Sequence, residues 1–363
     1  MFPLLATLSS VSNFSGTLLL LSSAVLYIGS GLFFKVPMSV QPLKAIAIAA
    51  LSIGASQIEV RVSGCILGCF CIFLTVFKTN ELAKKIPQSL IHCIQVALGV
   101  ILITQGLQFA KTITWLHYGF FTQEFSNELL IFFISVTLVF LTQILKFPFL
   151  GLCASLGMLW TMFWSDPTFH TLNNTKATNS LPRIDVILLL VLPQIALTLA
   201  NSVIGTKDVV NRYYGKIKHR VEIKNLLYSI GFGNIISALI GGLPFCHGSG
   251  GVTAHYRGGA NHFISNLIMG VFLLLLAFIY FKNGQWLLNY PLPFTATLLI
   301  ATGIFHLNLA RPTWETKHGK IKLILATCVA VFTKNMLLVL GISILAEIFF
   351  YFFTKRHTNV KQD

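Results

Sequence analysis

The sequence predicts an all-α integral membrane protein of about fourteen transmembrane segments, the first truncated, built as two inverted repeats of seven with a half-helix in each. Three observations predict this. Hydrophobic residues make up 55% of the 363 residues and charged residues only 10%, well below the quarter usual for a soluble domain. The apolar residues gather in runs, most of them near the ~20 residues needed to cross a hydrocarbon core. Two runs, one per half, are broken by stretches no plain span would carry: Val36-Pro-Met-Ser-Val-Gln-Pro-Leu-Lys44 and Leu243-Pro-Phe-Cys-His-Gly-Ser-Gly-Gly-Val-Thr-Ala-His255. Non-helical backbone at membrane depth is tolerated only where protein buries it or where it lines a cavity.

The first repeat, residues 1–164, reads as segments near 2–12, 16–34, 37–54, 60–77, 87–109, 129–145 and 147–164. The run after Met1 is too short to span and has no basic residues before it, so a signal peptide is not expected. Residues 165–183, rich in Asn and Thr, form a polar connecting loop. The second repeat, 184–354, reads as segments near 184–206, 226–242, 246–257, 263–281, 286–308, 320–334 and 335–353. Residues 355–363 form a basic cytoplasmic tail. With both termini cytoplasmic, 19 of the 26 Lys and Arg fall in inside loops and the tail, Lys322 among them, and 5 fall outside. That bias follows the positive-inside rule. An odd number of segments per half makes equivalent segments cross in opposite directions, which is an inverted repeat.

The formal net charge of +15 is spread over short loops instead of forming one face, so nucleic acid is excluded as a partner. Cys65, Cys69 and Cys71 share one apolar run, where small residues help helices approach, and no CxxC pair exists. No Walker loop, HExxH or GxSxG appears, and Glu347 is the clearest carboxylate in an apolar run. An enzyme, a cofactor and a metal site are therefore not expected.

The breaks carry the candidate chemistry, because paired interrupted segments mark the binding site of a secondary transporter. Pro37 and Pro42 disfavour helix in the residues before them, so 36–41 is expected to be extended, with a helix starting near Pro42. Gln41 then stands at a helix start and Lys44 in its first turn, where Lys44 either serves the site or snorkels to an interface. In the second break Ser249 is the expected N-cap, with the N–H groups of Gly248, Ser249, Gly250 and Gly251 directed at the first half-helix. Close helix packing is the competing account of these glycines. His247 is either a proton-sensitive donor or a neutral imidazole bonded to a carbonyl. Two half-helix N-termini that meet make a positive well suited to a tetrahedral dianion. Gln194, Thr198 and Asn201 share a helix face and form either a polar wall of the site or ordinary interhelical hydrogen bonds.

In three stretches the chain resembles the molybdate transporter family, a branch of the sulfate permease (SulP) superfamily. They are Val36-Pro-Met-Ser-Val-Gln-Pro-Leu-Lys-Ala-Ile-Ala47, Pro193-Gln-Ile-Ala-Leu-Thr-Leu-Ala-Asn-Ser-Val-Ile204 and Pro244-Phe-Cys-His-Gly-Ser-Gly-Gly-Val-Thr-Ala-His-Tyr-Arg257. The resemblance implies a core and a gate domain, half-helices in segments 3 and 10, and uptake of molybdate with sulfate as a related oxyanion. It makes Gln41, Lys44, Thr198, Asn201, His247, Gly248 and Ser249 the candidate site residues, and the glycine reading adds Gly250. It also implies a first helix with a Gly-Asp-Leu-Gly-Thr motif, whereas here Met1-Phe2-Pro3 stands where that motif would end. The expected partners are molybdate or a related oxyanion and the lipid bilayer of the cell membrane. A coupling proton or other ion and a homodimer are compatible with the pattern. Sulfate, another anion or a nucleobase on the same fold, an anion channel, or a truncated non-functional homologue are the alternatives.

Overall fold

In lipid every backbone N–H and C=O must be satisfied within the protein, so apolar runs close as helices. The computed structural model describes residues 14–77, 87–112, 127–145, 156, 181–215, 220–257, 259–283 and 292–359. The expected segment 2–12, nearly all of 147–164 and most of the 165–183 loop lie outside the described residues. The first half holds α1 (Gly16–Phe34), β1 (Gln41–Pro42), α2 (Lys44–Ile53), α3 (Gln57–Leu74), α4 (Gln88–Thr112) and α5 (Asn127–Leu145). The second holds α6 (Ile184–Leu197), a π-helical segment (Thr198–Gly205), α7 (Thr206–Tyr214), α8 (Ile223–Leu239), β2 (Phe245–Cys246) and α9 (Ser249–Arg257). It continues with α10 (Ile264–Asn283), α11 (Leu292–Leu309), α12 (Arg311–Trp314), α13 (Lys317–Thr333) and α14 (Met336–Asn359). Among the described residues five helical stretches are long and apolar enough to cross a membrane: Gly16–Phe34, Gln57–Leu74, Gln88–Lys111, Ile184–Tyr214 and Ile264–Phe281. Phe281, Phe332, Leu345 and Phe349 are exposed on the outside, as a lipid-facing surface requires.

Local signals set the ends. α1 stops where Lys35 turns left-handed at φ 56° and donates its N–H to Gly31 O, just before Val36-Pro37. α2 stops at Gly54, φ 64°, where glycine meets no Cβ penalty. α3 opens with a capping box, Ser56 Oγ accepting from Glu59 N while Glu59 accepts from Ser56 N, which satisfies two orphan donors.

The helices sort into two groups. α1 packs on α10, α3 on α8, α2 and α3 on α6, and α9 on α7; separately, α4 packs on α11, α13 and α14, and α5 on α11. Contacts between the groups run through α2, α4, α6 and α14. Each group holds one glycine-on-glycine crossing. A Cβ on Gly68 of α3 would sit 2.7 Å from Gly231 O of α8, and one on Gly99 of α4 would sit 2.7 Å from Gly303 O of α11. Without side chains there, backbones approach closely enough for dispersion to hold helices together in lipid.

Four expectations need refinement or correction. The helix expected near Pro42 begins just past it, at Lys44, because Gln41 and Pro42 are taken into a strand. The helix after the second break begins with Ser249 already inside it, and Gly248 O accepts the first helical bond, from Val252 N at 3.1 Å. Ser249 is therefore not the cap, its side chain being drawn elsewhere. Lys322, assigned to an inside loop, lies within α13 and is buried against Glu347. α14 continues through Asn359, into the expected tail.

Candidate functional site

The two breaks find each other. β1 and β2 pair antiparallel, with Gln41 opposite Cys246 and Pro42 opposite Phe245, and Leu43 N donates to Pro244 O at 3.0 Å. Backbone that cannot be helical is thereby hydrogen-bonded at depth. Each strand leads straight into its helix, so the antiparallel pairing brings the N-termini of α2 and α9 to one crossing.

Asparagines clamp both breaks. Asn234 of α8 accepts from Phe245 N at 2.8 Å and donates to Phe245 O at 2.9 Å and Ile230 O at 2.8 Å. Asn266 of α10 donates to Met38 O at 2.7 Å. Ser39 ties the breaks together: its Oγ donates to Gly248 O at 2.9 Å and accepts from Gly248 N at 3.0 Å.

The candidate residues take distinct positions. His247 is fully buried, its Nδ1 2.9 Å from Ser39 O and its Nε2 2.8 Å from Ser229 Oγ, with Phe34 and Phe245 edge-on. Both ring nitrogens are occupied, which is the carbonyl-bonded arrangement, and its own carbonyl accepts from Thr206 Oγ1 at 3.0 Å. Gly248 N–H is likewise spent on Ser39. Ser249 Oγ donates to Asn201 Oδ1 at 2.5 Å, joining α9 to the π-helical segment; such segments often carry functional residues. Thr198 lies one step back. Gln194 Oε1 accepts from Ala45 N at 2.9 Å and Ile46 N at 3.4 Å, capping α2, and Gln194 Nε2 donates to Thr198 Oγ1 at 3.0 Å.

What remains at the crossing is a set of donors. The Gln41 amide lies on the backbone of Gly248, where a Cβ would come within 1.4 Å of its Nε2. That Nε2 is buried with no hydrogen-bond partner among the described residues; the Cys246 thiol is its polar neighbour. The N–H groups of Ser249, Gly250 and Gly251 precede the first helical bond of α9, so the helix itself cannot satisfy them. Lys44 Nζ lies 3.1 Å from His306 Nε2 of α11. No Asp or Glu takes part in any of these contacts.

The structure thus brings Gln41, Lys44, Gly248, Ser249, Gly250 and Asn201 to the crossing and sets Thr198 and His247 behind it as supports. Ser39, Asn234, Asn266 and His306 were missed. Only His306 gave a sequence signal, as an ionisable residue within an apolar run, which is a functional candidate by default.

The chain is similar to known proteins along most of its length. The family model described as "Molybdate transporter of MFS superfamily" matches residues 1–102 and 186–305, which together include both breaks and the π-helical segment. Molybdate transporter 2 of Arabidopsis thaliana is 22% identical over 91% of this chain and 79% of its own length. Molybdate transporter 1 of Chlamydomonas reinhardtii is 27% identical over 38% of this chain and 28% of its own length. Among solved structures, the transmembrane domain of the cyanobacterial bicarbonate transporter BicA superposes with a TM-score of 0.63 at 16% identity, covering 94% of this chain and 93% of that one. The murine Slc26a9 anion transporter in the inward-facing state gives 0.68 at 14% identity, covering 98% of this chain and 66% of that one. At these identities the two structures establish a shared fold.

Proposed function

This chain belongs to the molybdate transporter family, and on that premise we propose that it is a secondary transporter that imports a tetrahedral oxyanion, molybdate first, by alternating access. The observation that carries the reading is the sign of what the crossing leaves unpaired. Gln41 Nε2 and the α9 N–H groups are donors, Lys44 adds a cation, and no carboxylate among the described residues opposes them. A dianion needs donors on every side and gains from two helix N-termini and an ammonium at short range. Mostly neutral donors also let it leave again, which turnover requires.

Antiparallel pairing of the breaks is what opposed repeats produce, and it supports the seven-plus-seven reading with 1–164 and 184–354 as the repeats. The group containing α2 and α9 then moves against the group containing α4 and α11, the site lying on the moving face. Gln41, Lys44, Ser249 and Gly250 hold the anion, Asn201 positions Ser249, Thr198 positions Gln194, and His247 and Gly248 shape the turn. The cell membrane with both termini cytoplasmic is the location that fits the loop charges.

The test is molybdenum accumulation in molybdate-starved cells that express this chain, with and without excess sulfate. Saturable uptake that resists sulfate is expected. Uptake abolished by sulfate assigns a sulfate transporter instead, and linear, non-saturable flux assigns a channel.

A further inference from the structure

His306 sits on α11, which packs on α4 and α5 and not in the helix group that carries the two breaks. It is only 2% exposed, and its Nε2 is 3.1 Å from Lys44 Nζ. An ammonium has three protons and no lone pair, so Lys44 donates and Nε2 accepts. Neutral imidazole then carries its proton on Nδ1. That Nδ1 is buried with no hydrogen-bond partner among the described residues. An orphaned buried donor is costly; the crossing to which Lys44 belongs holds a second one, Gln41 Nε2, and Lys44 has no counterion among the described residues. The adjacent Phe305 ring lies against α9, within 3.1 Å of where a Cβ on Gly250 would be. Residues 305 and 306 therefore touch the starts of both half-helices from the opposite helix group.

Resting on the oxyanion reading above, we propose that His306 is a substrate ligand, its Nδ1–H donating to the bound oxyanion from the face opposite Gln41. His306 Nε2 accepts from the Lys44 ammonium at 3.1 Å. When the anion enters, Lys44 donates to it instead, and the imidazole closes the coordination from α11. The anion then bridges the two helix groups, which ties occupancy to their relative position.

Two substitutions separate the ring nitrogens. His306→Asn places an amide near the Nδ1 position and keeps the donor, losing the partner of Lys44. His306→Gln places a carbonyl near the Nε2 position and keeps that partner, losing the donor. The full chain in proteoliposomes, assayed with labelled molybdate, gives KM independently of how much protein inserts. Loss of one hydrogen bond to a charged ligand predicts a KM about tenfold or more higher for His306→Gln, with His306→Asn near wild type. An unchanged KM in His306→Gln, or equal losses in both variants, overturns the assignment while the wild-type chain still transports. A wild-type chain with no saturable uptake of molybdate or sulfate overturns the oxyanion reading, and the assignment falls with it.

Discussion

Lys322 and Lys44 are both lysines withdrawn into apolar helix bundles, and their surroundings differ in kind. Lys322 has a full counterion: its Nζ lies 2.7 Å from Glu347 Oε2, Glu347 Oε1 accepts from Ser89 Oγ, and the Phe350 ring lies 5.6 Å away. Three helices, α4, α13 and α14, are tied there, and the charge demands are met inside the protein. Among the described residues the hydrogen-bond partner of Lys44 Nζ is an imidazole with no negative charge, and the Gln41 amide and the α9 N-terminus at the same crossing are donors as well. A cluster that closes its own electrostatics holds the fold together. One that leaves donors open costs stability and is completed by something that enters. Glu59 belongs to the first kind, accepting from Arg183 Nε at 2.8 Å and from Ser56 N at 2.8 Å.

The sharpest way to break the contrast is to remove half of the closed pair. Glu347→Leu leaves the Lys322 ammonium buried alone and is expected to cost about 3–5 kcal/mol, read as a large drop in thermal midpoint in detergent. The double variant Glu347→Leu/Lys322→Met recovers most of it, because paired removal leaves no stranded charge. KM for the oxyanion stays unchanged in whatever double variant reaches the membrane. A comparable KM shift there makes the pair part of transport and erases the distinction.

The open cluster responds in the opposite sense. Gln41→Leu removes a buried donor that has no hydrogen-bond partner among the described residues, so the thermal midpoint is expected to hold or rise. Oxyanion affinity falls about tenfold or more, the worth of a hydrogen bond to a charged ligand. A marked loss of stability would mean that Gln41 is held by contacts of the folded protein and is not waiting for a ligand. The smallest effect is at Glu59. Glu59→Ala removes one side of the capping box and the partner of an exposed arginine, about 1 kcal/mol, and leaves uptake per folded molecule as in the wild type.

The positions of the breaks were legible in the sequence because proline and glycine act locally. Pro37, Pro42, Pro244 and the run Gly248-Ser-Gly-Gly251 declare non-helical backbone whatever the neighbours do. Gln41, Lys44, Gly248, Ser249 and Gly250 could be named for the same reason, since they lie in the breaks, whereas Asn201 rests on helical spacing. What sequence could not give is which groups the rest of the chain consumes. Ser39 takes the Gly248 N–H from 209 residues away and Gln194 caps α2 from 149 away, and neither distance leaves a periodic trace. Helix starts misplaced by one or two residues have the same origin. Pro42 is a good first helical residue in isolation, yet pairing with Phe245 holds it in a strand. The helical spacing that put Gln194, Thr198 and Asn201 on one face is broken by the π-helical turn from Thr198, which sends Asn201 to Ser249.

The most direct test of the central claim, that donors left open at the crossing bind the oxyanion, is equilibrium molybdate binding to the purified full chain and to Gly248→Ala. A Cβ at position 248 occupies the place of the Gln41 amide and removes that donor without touching any charge. The account predicts saturable binding by the wild-type chain and an affinity at least about tenfold weaker in the variant. Equal affinity in the two proteins would contradict it.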